Sequence, residues 1–63
     1  MEILTKEQQE RLLTKMALER YSKKAAAEQI GISRPTILKI TRDQAPIALN
    51  RDTYRNVINF LNN

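Results

Sequence analysis

At 63 residues the chain has room for one domain, spanning 1–63, with a core near the lower limit for folding unaided. It has no Cys and no His, which excludes disulfides, thiolate zinc sites and imidazole catalysis; the missing Cys also fits a cytoplasmic protein. The net charge is +4, and no apolar run approaches the roughly 18 residues of a membrane span or forms a signal-peptide core, so no membrane partner is expected.

A single Gly and scarcely any β-branched alternation predict an all-α chain. Met1 to Leu4 reads as a short lead-in. Thr5 and Gln8 have capping-box spacing, so a first helix starts at Lys6. Its apolar residues Leu12, Leu13, Met16, Ala17 and Tyr21 follow i, i+3/i+4 spacing, with Leu18 at the margin. Glu7, Glu10, Arg11, Lys15 and Glu19 fall on the solvated face. This is a packing helix, and Met16 is core filler rather than a ligand.

Ser22 to Arg42, SKKAAAEQIGISRPTILKITR, reads as two short helices joined by a tight turn at Gly31, Ile32 and Ser33. Ala26, Ala27 and Ile30 share one face of a helix starting near Lys23, and Ile37 and Ile40 form the inner face of the next. Ile32 plugs the gap between them. Gly31 stands where a helix end calls for a left-handed residue, and only Gly takes that conformation cheaply. Ser33 caps the second helix, and Pro35 in its first turn gives up an N–H that has no helical partner there. The small Ala26 and Ala27 let the helices cross closely. The pattern is that of a helix-turn-helix.

Asp43 to Leu49 is a loop: Pro46 cannot continue a helix, while Ile47 and Leu49 pin the segment to the core. Asn50 then caps a last helix, with Asp52 in its first turn and a buried stripe of Tyr54, Val57, Ile58 and Leu61. Phe60 falls about 60° around from Val57, at the edge of the core or as a dimer or partner contact. Asn56, Asn59, Asn62 and Asn63 are expected to face solvent. The first and last helices thus clamp the middle pair.

Charge is distributed unevenly over this plan. Residues 1–21 hold four basic and four acidic side chains, and residues 43–63 hold two of each. Residues 22–42 hold Lys23, Lys24, Arg34, Lys39 and Arg42 against Glu28 alone, so the whole surplus sits in the middle pair and points to a polyanionic partner.

The stretch resembles the phage Cro and repressor-type, lambda-repressor-like helix-turn-helix family. The likeness rests on Ser22 before the first motif helix, Ala27 within it, Gly31, Ile32, Ile37 and Ile40, and the Ser33-Arg34-Pro35-Thr36 opening. Lys23 stands where many members carry Gln. With the flanking helices the resemblance covers most of the chain. It implies a four-helix, or at most five-helix, DNA-binding domain of a transcriptional regulator such as a phage switch protein. In that family, residues opening the second motif helix reach base edges.

At 100° per residue, Arg34, Pro35, Leu38, Lys39 and Arg42 share an arc opposite Ile37 and Ile40. Arg34 is placed for a bidentate contact to guanine, Lys39 for a base or phosphate, and Leu38 for a thymine methyl, with Pro35 beside them. Lys23, Lys24, Ser33 and Arg42 suit phosphates. One copy offers few contacts, so binding to double-stranded DNA calls for a homodimer on half-sites about 34 Å apart. The alternative is a modulator or antirepressor that uses the same fold to engage a partner repressor protein, since Pro35 and Leu38 also suit a protein interface. An antitoxin of the same fold fits as well. An enzyme is not expected, because the seven acids are scattered with no paired arrangement, and no cofactor is implied.

Overall fold

The computed structural model describes residues 1–62, so Asn63 and its expected exposure lie outside the described residues. In chain order the elements are β1 (Glu2–Leu4), α1 (Lys6–Leu18), α2 (Lys23–Ile30), α3 (Arg34–Arg42), β2 (Ile47–Leu49) and α4 (Arg51–Leu61).

Each helix begins at a polar side chain that accepts one of the N–H groups the helix leaves unpaired. Thr5 Oγ1 accepts from the Gln8 N–H at 3.2 Å while Gln8 Oε1 accepts from the Thr5 N–H at 2.9 Å, completing the expected capping box. Ser22 Oγ accepts from Ala25 N–H at 3.1 Å, and Asn50 Oδ1 from Thr53 N–H at 2.8 Å. Ser33 caps α3, whose first residue is Arg34, with Pro35 in the first turn.

The helix ends differ from one another. At the end of α2, Gly31 takes φ +85° and ψ +34°, and the Gly31 and Ile32 N–H groups both donate to Ala27 O, at 2.8 and 3.0 Å. The bond from Ile32 spans six residues and closes the turn that a left-handed Gly permits. At the end of α1 the left-handed position falls to Arg20, at φ +58°, with Tyr21 N–H donating to Met16 O at 2.9 Å. There a Cβ sits where Gly would be less strained. α3 has no such residue, since Asp43 is extended at ψ 150°.

The all-α expectation needs one correction. Met1 to Leu4 is more than a lead-in, and the loop from Asp43 to Leu49 is not loop throughout. β1 and β2 form a two-stranded antiparallel sheet with Glu2 opposite Leu49, Ile3 opposite Ala48 and Leu4 opposite Ile47. Three residues are too few for alternation to register in a sequence, and the partners lie more than forty residues apart. Pairing carries Leu4 inward until it is fully buried, next to Ile47 and Leu49, which are anchored as expected. The described residues otherwise form four helices, with no fifth.

A single core draws on every element: Leu4, Leu12, Met16, Ala26, Ala27, Ile30, Ile37, Ile40, Ile47, Leu49, Val57, Phe60 and Leu61. α2 packs on α3 and α4, and α1 packs on α3 and α4. The buried stripe of α1 is narrower than its spacing suggests. Leu12 and Met16 are buried, but Leu13 is 41% exposed, Leu18 is 79% exposed, and Ala17 faces solvent. The half-buried Gln8, Gln9 and Lys15 complete the inward side, because long polar side chains can pack their stems while their heads find hydrogen bonds.

For Phe60 the structure bears out the core reading: the residue is 7% exposed, which leaves little of its ring free for a dimer or partner. Its ring lies 5.8 Å from that of Tyr21, centroid to centroid, and Lys15 Nζ sits 4.7 Å above it while donating to Phe60 O at 2.6 Å. A 60° offset falls inside the arc of about 100° that a core-facing helix buries. The stripe of α4 is therefore rotated toward Phe60, leaving Tyr54 and Ile58 half-buried.

Candidate nucleic-acid interface

The residues singled out for contact with a polyanion lie on α2, on α3 and in the turn between them. α3 is two-sided for a local reason. Steps of three residues place Ile37 and Ile40 on one face, and both are fully buried. Arg34, Pro35, Lys39 and Arg42 are all exposed on the other side, with Leu38 half-buried among them. Over nine residues the helix is about 13 Å long. A B-DNA major groove about 12 Å wide admits a helix of this kind.

The start of α3 is held locally. Ser33 Oγ accepts from Thr36 N–H at 3.4 Å and lies 2.7 Å from Thr36 Oγ1, so the hydroxyl proposed for a phosphate is already engaged within the turn. Ser33 remains exposed. Lys23 and Lys24 are exposed in the first turn of α2, where no acidic side chain competes with them. Glu28 is exposed further along the same helix.

Ala26 is fully buried and Ala27 is 5% exposed, as their small size at the helix crossing implies. Ile32 is half-buried against the core in the turn. Asn56, expected in solvent, is half-buried, and its Nδ2 lies 3.9 Å from where a Cβ on Gly31 would stand. α4 therefore backs the turn directly.

One contributor escapes a reading by local spacing. Gln9 of α1 donates through Nε2 to both Ile40 O and Asp43 O, each at 2.7 Å. The only sequence signal for it is a polar residue three positions before Leu12, on the arc that Leu12 and Met16 bury.

Two clefts lie elsewhere. A shallow cleft of about 590 Å³ runs between α1 and Leu61, lined by Glu7, Glu10, Arg11, Thr14, Lys15, Leu18 and Glu19. A smaller one of about 250 Å³ lies between Glu2 and the outer face of α4. Neither includes any of the contact residues on α2 and α3. No helix among the described residues is long and apolar enough to cross a membrane. Compared with known proteins, the chain matches no family model, no curated protein and no solved structure.

Proposed function

We propose that the chain is a sequence-specific DNA-binding transcriptional regulator with a lambda-repressor-like helix-turn-helix, of the kind found in phage switches and acting in the bacterial cytoplasm. α3 enters the major groove, and the protein binds as a homodimer. The observation that carries this is the division of α3. Ile37 and Ile40 are fully buried, while Arg34, Lys39 and Arg42 are exposed opposite them, within the only stretch that holds surplus positive charge.

In this reading Arg34 reads a guanine edge, a contact worth roughly 1–3 kcal/mol of discrimination, while Pro35, Leu38 and Lys39 line the same surface. Lys23, Lys24, Ser33 and Arg42 meet phosphates and set register without reading sequence. Each neutralised phosphate steepens the logarithmic salt dependence by about 0.9. A copy measuring 29 × 21 × 20 Å is small enough for two to sit on half-sites one helical turn, about 34 Å, apart.

Selection from a random duplex library tests this, with an Arg34→Ala, Lys39→Ala double variant as control. A two-fold symmetric site, enriched by the native chain and lost in the control, is the expected result. Single variants test the division of labour: Arg34→Ala relaxes specificity, whereas Lys24→Ala weakens all duplexes alike. No enrichment by a folded, helical protein refutes the reading and transfers the α3 face to the modulator function. There the exposed Pro35 and half-buried Leu38 would meet a partner repressor instead.

A further inference from the structure

We propose that Gln9 is a positioning residue for α3: from α1 it holds the C-terminal end of that helix, and with it Lys39 and Arg42, in the orientation used on DNA. The functional half rests on the DNA reading above; the anchoring does not.

A helix leaves its last four carbonyls without partners inside the helix. α1 and α2 close their ends with left-handed residues, Arg20 and Gly31, and bonds back into the last turn. α3 has no such device. Asp43 is extended, and its N–H returns only to Lys39 O, at 2.9 Å. Thr41 spends its hydroxyl upstream, on Ile37 O at 2.8 Å and Leu38 O at 3.2 Å.

Gln9 supplies what is missing. A primary amide nitrogen carries two hydrogens, and both are used, on Ile40 O and Asp43 O. The two carbonyls bracket the basic end of α3, one just after Lys39 and the other just after Arg42. The cap therefore comes from another helix, so the same two bonds that finish α3 also fix its end to α1. Arg34, at the far end, is held by Ser33 and Pro35 and does not depend on Gln9.

Two variants separate donor chemistry from bulk: Gln9→Met keeps length and volume but donates nothing, whereas Gln9→Lys restores donors. In the free protein, the Arg42 and Asp43 amides of Gln9→Met should exchange about tenfold faster relative to Ile37, and Gln9→Lys should return them toward native protection. On the selected duplex, losses from Gln9→Met and Arg42→Ala should be less than additive, while those from Gln9→Met and Arg34→Ala add. A native chain that binds no duplex overturns the DNA reading and the functional half, leaving the exchange measurement to decide the anchor.

Uniform loss of protection, or equal loss in Met and Lys variants, overturns the anchor. Additive losses with Arg42→Ala overturn the positioning role. If Gln9→Met does not fold, native exchange in Gln9→Lys supports the donor role, and fast exchange there overturns it.

Discussion

Replacing Gly31 by Ala isolates the backbone cost of the turn between α2 and α3. At φ +85° and ψ +34° any L-residue is strained, by roughly 1–2 kcal/mol relative to a right-handed position. The added Cβ meets nothing closer than Asn56 Nδ2 at 3.9 Å, an ordinary contact, so no steric term adds to the strain. Ala also restricts the unfolded chain, which offsets about 0.4–1 kcal/mol. The net loss should be about 1 kcal/mol, or about 4–8 °C in melting temperature for a domain of this size. Thermal unfolding followed by circular dichroism at 222 nm measures it. Gly31→Asn should lose less, because Asn tolerates the left-handed region better than Ala. An Ala variant that melts with the native protein refutes the left-handed turn. A loss above about 3 kcal/mol refutes the claim that the space beside Gly31 is open.

The opposite experiment applies at the end of α1. Arg20→Gly relieves a Cβ at φ +58° and should raise stability by up to about 1 kcal/mol; a lower melting temperature would show that the Arg20 side chain contributes more than its strain costs. Phe60→Ala distinguishes a core residue from a surface one. It should destabilise the fold by about 3–5 kcal/mol, enough to unfold much of so small a domain. A folded Phe60→Ala chain that has lost only self-association by sedimentation would restore the dimer-contact reading.

What could be read from the sequence was set by neighbours a few residues apart. The capping box of Thr5 and Gln8, the Ser33 and Asn50 caps and the left-handed Gly31 each depend on an arrangement within one helical turn. The outward arc of α3 follows from helical period alone, so Arg34, Pro35, Lys39 and Arg42 were legible as one surface. What escaped depends on chain segments far apart. The pairing of β1 with β2 joins residues 2–4 to residues 47–49. The burial of Phe60 requires Lys15 and Tyr21 to arrive beside it. Gln9 looks like any polar helix residue until the end of α3 is placed against it.

That division bears on how the contact surface can be tested. In a chain this small α3 supplies core and candidate interface at once, with buried Ile37 and Ile40 interleaved with Leu38 and Lys39. A substitution on the inner face therefore cannot separate lost binding from lost folding. The outer arc is different. Arg34 and Lys39 are exposed, and the caps of α3 are made by the Ser33 side chain and by backbone groups that alanine would keep, so substitution there should change stability by no more than about 0.5 kcal/mol. The double variant should therefore melt within a few degrees of the native chain, and any selectivity it loses can be assigned to contacts. A large fall in its melting temperature would mean that these side chains support the fold, and the selection would then need single variants read one at a time.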